Sequence, residues 1–186
     1  MDLKIHKMHE NVPDPSYGST YAACFDISAY LSYQSSVKGY SKSNDTIDML
    51  TVQNSDGKNF IDIPPEWRIL IPTGLIFDIP SSCSVRLYAR SGLSTKQGLN
   101  LINSVGIIDA DYIEEVFIPI YNNSLKKIKI YNGDRITQAE MVFNNRAILQ
   151  YIQDKPISKS NRNGGFGLSL IHISEPTRQA EISYAV

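Results

Sequence analysis

Short runs of alternating apolar and polar residues recur along most of the chain, separated by turn-forming residues. Residues 85–89 alternate in this way, and residues 69–71 and 75–77 flank a Pro-Thr-Gly turn at 72–74. Further runs cover residues 116–121 and 128–131, with turn signals at 122–124 and 132–134. Many short strands at regular spacing, with few helical patterns, predict an all-β barrel or sandwich.

One short stretch predicts a helix, residues 92–97, and it ends at Gly98. Two other segments are too polar to bury a core. Residues 34–58 are rich in Ser, Asn and Asp and predict a loop or a ragged hairpin, whereas residues 153–167 predict a flexible C-terminal tail. We therefore expect a β domain over residues 1–152, followed by an arm over 153–167.

Composition excludes several classes of protein. The 186 residues are 42% hydrophobic and 20% charged, with a net charge of −1. No global basic field points to nucleic acid or to an anionic membrane, and no apolar run reaches the roughly 18 residues of a membrane span. The first residues lack the apolar core of a signal peptide, and two cysteines, Cys24 and Cys83, are too few for a disulfide framework. We expect a cytoplasmic protein (host cytoplasm if viral) with no nucleic-acid or membrane partner.

The C-terminal residues 168–186 are interpreted as foreign to the fold. Residues 168–178 match one reading frame of a transposase-type sequencing adapter, and residues 182–186 resemble the outer end of that adapter. Residues 179–181 would then be the codons of an index. Such a segment is excluded from fold reasoning. We expect the natural sequence to continue differently after Gly167.

Two segments in the body of the chain carry side chains suited to phosphate chemistry. A predicted strand runs into Ser91 and Gly92 at the predicted helix start. This arrangement gives either an anion site or an ordinary N-cap. Asp109, Asp111 and Tyr112 follow an apolar pair. They give either a carboxylate that orients a water molecule or an Asp-rich turn.

Two further segments leave similar alternatives open. Asp134 and Arg135 lie between a turn and a predicted strand, and they form either a structural ion pair or part of a binding site. In the tail, Arg162 can clamp a phosphate and Phe166 can stack on a base, beside glycines that let the backbone approach a ligand closely. The alternative for the tail is a disordered linker.

In this order and at this spacing, these segments and the Ala-Cys-Phe-Asp-Ile run at 23–27 resemble the five motifs of the trimeric dUTPase family. The resemblance spans roughly residues 1–167, and residues 109–112 are its most specific part. It implies a jelly-roll-like β-barrel with one short helix and a flexible C-terminal tail, assembled as a homotrimer with shared active sites. It also implies Mg²⁺-dependent hydrolysis of dUTP to dUMP and pyrophosphate, which limits uracil incorporation into DNA and supplies dUMP for thymidylate synthesis.

The resemblance also implies a role for individual residues. Asp109 matches the catalytic aspartate that positions the attacking water, and Tyr112 matches the tyrosine that packs on deoxyribose and excludes a 2′-hydroxyl. Asp26 matches an acid that reaches Mg²⁺ through water, while the phosphates hold the metal. The implied triphosphate-binding positions are Arg90, Ser91, Gly92 and Gln138, and those of the uracil-reading hairpin are Asn103, Gly106, Ile107, Ile108 and Phe117. In the tail, Arg162 matches the phosphate clamp and Phe166 the aromatic residue that covers uracil.

A few positions depart from the family pattern. Cys24 replaces the usual glycine of the first motif. Ile113 and Glu114 replace a basic or polar residue and a glycine, and we expect little effect from either. Arg162 lies one residue closer to the Gly-Phe-Gly sequence than usual, so either Arg162 or a shifted register supplies the phosphate clamp. Leu168 stands where a Ser or Thr usually follows that sequence.

Two rival functions follow from the same residues. The dCTP deaminases share the fold, but they rely on a glutamate and a Ser-Arg pair. The Asp-Ala-Asp-Tyr run at 109–112 and the Gly-Phe-Gly tail favour dUTPase instead. A catalytically dead, dUTPase-like binding or regulatory protein would have lost Asp109 or Tyr112, and both are present.

Overall fold

A computed structural model describes residues 2–161 of the chain. Arg162, Phe166 and the adapter-like residues 168–186 therefore lie outside the described residues. The described part holds fifteen strands and one helix. In chain order these are β1 Lys4–Lys7, β2 Ser16–Tyr17, β3 Phe25–Ser28, β4 Ser36–Tyr40, β5 Thr46–Leu50, β6 Val52–Gln53, β7 Asn59–Ile63, β8 Arg68–Pro72, β9 Leu75–Asp78, β10 Cys83–Ala89, α1 Ser91–Gln97, β11 Leu99–Leu101, β12 Val105–Ile108, β13 Phe117–Asn122, β14 Ile128–Tyr131 and β15 Arg135–Phe143.

All strand pairs are antiparallel, and they build two large and two small sheets. The five-stranded sheets have the orders β12-β10-β15-β3-β2 and β11-β13-β8-β4-β5. A three-stranded sheet, β14-β7-β6, and the pair β1-β9 complete the fold. The predicted all-β fold with one short helix is confirmed. Hydrogen bonds do not close it into a barrel within residues 2–161, because each large sheet ends in two edge strands that have a single partner.

The core lies among the inward faces of these sheets. In β10 the residues Val85 and Leu87 are buried while Arg86 between them is exposed, as the alternating pattern predicts. Ile27 in β3 and Ile118 in β13 are fully buried in the same apolar cluster. Each such side chain contributes about 1.5–3 kcal/mol on burial, so the core fixes the sheet faces that carry the site.

The polar segment 34–58 is a hairpin rather than a loop. β4 and β5 pair in register with Lys38 opposite Asp48, and the tight connection is closed by a hydrogen bond from Ser41 N to Asp45 O of 3.0 Å. β5 thereby becomes an edge of the second large sheet. The hairpin alternative for this segment is confirmed.

The helix α1 ends at Gln97, as predicted, and begins at Ser91, one residue before the predicted start. Arg90 is its N-cap residue. Gly98 ends it in the left-handed conformation, at φ 72°, and donates its N–H to the carbonyls of Leu93 and Ser94. Glycine suits this position because a side chain there would be strained. No helix within residues 2–161 is long and apolar enough to cross a membrane.

The described residues fall into two units, divided after Arg146. The first unit carries every strand and the helix. In the second, residues 147–161 contain neither helix nor strand. All predicted site residues that the structure describes belong to the first unit.

Candidate active site

The predicted site residues line two separate clefts of the first unit. One cleft of about 500 Å³, here called the β12 cleft, is bordered by Asn103, Gly106, Ile107, Ile108, Asp109, Tyr112 and Phe117. The other, of about 470 Å³ and here called the α1 cleft, is bordered by Asp26, Arg90, Ser91, Gly92 and Gln138. The structure therefore brings the predicted nucleoside-binding residues together, and the predicted phosphate-binding residues together, but in different places on one chain.

The β12 cleft is built on an edge strand. β12 pairs with β10, with Gly106 opposite Leu87 and Ile107 opposite Arg86, and it is the last strand of its sheet. The second edge of β12 therefore presents main-chain N–H and C=O groups that no strand of the sheet uses. Such fixed donors and acceptors are suited to reading the polar edge of a planar ring.

The strands on either side of Asn103 belong to different sheets. A tight turn joins β11 to β12, with Ser104 at φ 62° and Val105 N donating to Asn103 O at 2.6 Å. However, β11 and the later β13 belong to the other large sheet, where Leu101 pairs with Ile120. Each strand satisfies its hydrogen bonds with a neighbour distant in sequence. Asn103 consequently lies where the chain crosses from one sheet to the other.

Gly106 permits the close approach of β12 to β10. A Cβ atom at this position would lie 3.0 Å from both Cβ and Cδ1 of Leu87. Since the Leu87 Cβ is fixed to its own backbone, Gly106→Ala is expected to destabilise the fold by about 1–3 kcal/mol through overpacking. Chemical denaturation measures this change, and Gly18→Ala is the control because no atom lies within 4 Å of that added carbon. Equal denaturation midpoints for the two variants would contradict the packing account.

Asp109 and Tyr112 follow β12 in a short turn, in which Tyr112 N donates to Asp109 O at 3.1 Å. Asp109 is exposed, and within residues 2–161 no hydrogen bond or ion pair engages its carboxylate. The Tyr112 hydroxyl donates to the carbonyl oxygen of Glu115 at 2.8 Å. Burial, and then the charges of Glu114 and Glu115, raise the pKa of Tyr112, so the phenol stays protonated and remains a donor near neutral pH.

The α1 cleft is organised around the carboxylate of Asp26, which is only 13% exposed. One oxygen pairs with Arg90 Nε at 2.9 Å and the other with Arg135 Nη1 at 3.0 Å. Arg90 Nη1 also donates to the carbonyl of Arg135 at 2.8 Å. Two guanidinium groups against one carboxylate leave a net positive charge in the cleft, which suits an anionic ligand.

Arg135 borders the α1 cleft. Of the two alternatives for Asp134 and Arg135, the ion pair between them is absent from the described residues, and Asp134 accepts a hydrogen bond from Tyr131 N at 2.8 Å instead. The true partner of Arg135 is Asp26, 109 positions away. The pairing of β15 with β3 brings the two together, and no local signal in the sequence could have shown it.

The helix start contributes donors to the same cleft. No side chain caps α1, and Ser91 is its first residue rather than its N-cap. The first N–H groups of a helix have no intrahelical acceptor, so they remain available to an anion. Gln138 lies beside them in β15, where its Nε2 donates to Ala89 O at 3.1 Å.

Cys24 also borders the α1 cleft. Cys83 is buried and Cys24 is partly buried. Burial raises the pKa of the Cys24 thiol, and the charges of Glu140 and Asp26 raise it further. The thiol is therefore neutral near pH 7 and leaves the charge balance of the cleft to the arginines.

Asp26 is the acidic side chain of the α1 cleft that a metal-bound water molecule could reach. No group of three or more His, Cys, Asp or Glu side chains in residues 2–161 is arranged to hold a metal ion. Asp26 accepts one arginine on each oxygen. A carboxylate has about four acceptor positions, so Asp26 can still accept a hydrogen bond from a metal-bound water molecule.

Comparison with known proteins supports the resemblance seen in the motifs. A sequence model of the dUTPase family matches residues 58–170. A deoxyuridine 5′-triphosphate nucleotidohydrolase of Finegoldia magna is 37% identical over 139 residues, covering 70% of this chain and 96% of that protein. The enzyme of the same name from Helicobacter hepaticus is 30% identical over 169 residues, covering 91% and 89%.

Solved structures share the fold. A Staphylococcus bacteriophage 80alpha dUTPase mutant with dUpNHpp superposes with a TM-score of 0.67 at 19% identity, covering 90% of this chain and 98% of that one. A dUTPase mutant from phage phi11 of S. aureus, whose structure reveals the coordination of a structural Mg(II) ion, gives 0.64 at 19% identity, covering 83% and 99%. The family match over most of the chain, and relatives of at least 30% identity along nearly their whole length, establish that this chain belongs to the dUTPase family.

Proposed function

We propose that the protein hydrolyses dUTP to dUMP and pyrophosphate. The observation that carries the proposal is the β12 cleft, which places Asp109 and Tyr112 beside the free main-chain edge of β12 in a member of the dUTPase family. In the cell this reaction limits uracil incorporation into DNA and supplies dUMP for thymidylate synthesis.

The free edge of β12 reads the base. Uracil and cytosine differ by a reversed donor and acceptor on one edge of the ring. Main-chain groups near Ile107 and Ile108 cannot rotate to suit the wrong edge, because the pairing of β12 with β10 fixes them. A mispaired polar group in a closed site costs about 1–3 kcal/mol, so a fixed edge discriminates between the two bases.

The sugar packs against Tyr112, whose ring borders the β12 cleft and is partly exposed to it. The ring occupies the space that a 2′-hydroxyl would need. Phe117 lies in the same cleft and supplies a second apolar surface. The cleft therefore accepts a deoxynucleoside and excludes a ribonucleoside.

Asp109 orients and deprotonates the attacking water. Its carboxylate is exposed at the end of β12 and is engaged by no other group of the described residues, so it is available to a water molecule. Attack breaks the link between the α- and β-phosphoryl groups and releases pyrophosphate. Phosphoryl transfer depends mainly on positioning and charge neutralisation, and it needs no covalent intermediate with the protein.

The α1 cleft holds the triphosphate. Arg90, with the uncapped N–H groups at Ser91 and Gly92, faces the anionic chain, and Asp26 and Arg135 fix the Arg90 guanidinium in place. Bound Mg²⁺ would neutralise phosphate charge, with Asp26 reached through a water molecule. Gln138 supplies a further amide donor beside the phosphates.

The assembly that unites the two clefts is a homotrimer, in which the β12 cleft of one subunit meets the α1 cleft of its neighbour. An exposed apolar segment supports such an assembly. Ile148, Leu149, Tyr151 and Ile152 are each at least 68% exposed. Apolar surface of this density is usually covered by a partner, here a second copy of the chain. We expect the arm over residues 153–167, of which Arg162 and Phe166 lie outside the described residues, to extend to a neighbouring site.

Product analysis tests the reaction directly. Incubation of the protein with dUTP and Mg²⁺ should yield dUMP and pyrophosphate in equal amounts, as measured by ion-exchange chromatography and ³¹P NMR. Formation of dUDP and inorganic phosphate would contradict the proposed reaction. Excess EDTA should abolish most of the activity, and full activity in EDTA would exclude Mg²⁺ while leaving the hydrolysis itself intact.

A further inference from the structure

We propose that Glu115 is a positioning residue that sets the selectivity between deoxyribose and ribose by fixing the ring of Tyr112. The inference deepens the proposed function and rests on it, because Tyr112 is taken as the residue in contact with the sugar. Glu115 is not one of the positions that the family resemblance assigns to the site.

Glu115 connects Tyr112 to a distant turn through two hydrogen bonds. Its carbonyl oxygen accepts the Tyr112 hydroxyl at 2.8 Å. Its carboxylate oxygen Oε1 accepts the backbone N–H of Gly74 at 2.7 Å. The second bond is partly buried and involves a charged acceptor, which makes it one of the stronger kinds of hydrogen bond.

The turn that receives this carboxylate is rigid. Gly74 has φ 66°, and a Cβ there would lie 2.5 Å from Val12 Cγ2, so the surroundings are tightly packed. The Gly74 carbonyl also accepts the N–H of Met8 at 2.9 Å. The side chain of Glu115 is therefore anchored to a part of the fold that has little freedom to move.

The residue after Glu115 is held independently. Val116 N donates to Leu75 O at 2.8 Å, and the Thr73 hydroxyl donates to Val116 O at 2.7 Å. These bonds keep β13 in place whether or not the Glu115 carboxylate is present. The Glu115 carbonyl shares its peptide group with the Val116 N–H, so this end of Glu115 stays held. Loss of the carboxylate should instead loosen residues 110–114, which carry Tyr112, without unfolding the sheet.

A loosened Tyr112 weakens the rejection of a ribonucleotide more than it weakens the binding of a deoxyribonucleotide. The 2′-hydroxyl of UTP is excluded because the ring cannot move, whereas dUTP does not press on the ring. We therefore expect kcat/KM for UTP to rise relative to that for dUTP when the anchor is removed. A steric selectivity of this kind spans about 10- to 200-fold, and loss of the anchor should reduce it by about tenfold.

The experiment compares kcat/KM for dUTP and UTP across a set of matched variants. Glu115→Ala removes the acceptor, and Glu115→Asp keeps the charge but is one methylene too short for the Gly74 N–H, so both should narrow the dUTP/UTP ratio by about tenfold. Glu115→Gln keeps an acceptor oxygen at the same reach and should restore most of the ratio. Glu114→Ala is the control, since Glu114 is exposed and makes no hydrogen bond among the described residues. Thermal denaturation checks that each variant is folded. If Glu115→Ala does not fold, the dUTP/UTP ratio of Glu115→Asp tests the inference in its place.

Tyr112→Ala distinguishes a failure of the Glu115 inference from a failure of the proposed role of Tyr112 in sugar selectivity. If Tyr112→Ala narrows the ratio but Glu115→Ala and Glu115→Asp leave it unchanged, the inference is overturned and the proposed function stands. If Glu115→Ala narrows the ratio on its own, and Tyr112→Ala/Glu115→Ala narrows it no further than Tyr112→Ala does, the two residues act together and the inference is supported. A wild-type protein that hydrolyses UTP as well as dUTP would overturn both.

Discussion

Replacement of Asp109 by asparagine is expected to lower kcat by about 10²- to 10⁴-fold, the range for loss of a general base. The amide has the shape of the carboxylate but cannot accept the proton of the attacking water. The fold should be unaffected, because the carboxylate is exposed and makes no hydrogen bond or ion pair in residues 2–161. Steady-state kinetics with dUTP measure the loss, and dUMP affinity and thermal stability should match those of the wild type.

Asp111→Asn is the matched control for this variant. Asp111 borders the same cleft, is also exposed, and lies two positions further along the chain. Its replacement changes the net charge of the cleft by the same amount. Equal losses in the two variants would show that Asp109 acts only through its charge, and near-wild-type turnover in Asp109→Asn would remove it from the mechanism.

Mixed trimers of two inactive variants are expected to regain activity. Asp109→Asn damages the β12 cleft, and Arg90→Ala damages the α1 cleft by removing a phosphate-binding cation and a partner of Asp26. If each site joins the β12 cleft of one subunit to the α1 cleft of the next, a trimer that holds both variants keeps both clefts intact in about a third of its sites. The expected activity of the mixed trimers is far above the residual activity of either variant, so the two outcomes are clearly distinguishable.

Coexpression with two affinity tags isolates these mixed trimers. Each variant carried alone through the same purification supplies the baseline. Each isolated trimer contains both variants and has one intact site of three, so activity of about a third of wild type supports shared sites. Activity between the two baselines would show that each site lies within one subunit. Light scattering on the wild-type protein should give the mass of a trimer.

The pattern of apolar and polar residues predicted the helix and the strands β8, β9, β10, β13 and β14, but not most of the shorter strands. Alternation in β10 follows directly from the two-residue period of a strand, and Gly98 marks the end of α1 because it tolerates a left-handed conformation. The polar composition of residues 34–58 left the choice between loop and hairpin open. Long-range pairing decides such cases, since β4 also lies beside β8, far along the chain.

The contacts within the site were less accessible from sequence. Asp26 and Arg135 meet because β3 and β15 pair across 109 positions, and Glu115 reaches Gly74 across 41. Contacts between residues so far apart in the chain produce no pattern in the sequence near either residue. The family motifs identified Asp109 and Tyr112 from the residue types alone. They could not show that β12 is the edge strand of its sheet, or that the preceding strand β11 belongs to the other large sheet.

The rate of pyrophosphate release from dUTP, compared with dCTP, dTTP and UTP at equal concentration with Mg²⁺, tests the central claim most directly. Fixed main-chain groups on β12 predict that dUTP is hydrolysed faster than dCTP, and the Tyr112 ring predicts that dUTP is hydrolysed about 10- to 200-fold faster than UTP. Failure to hydrolyse dUTP, or comparable rates with dCTP, would contradict the account.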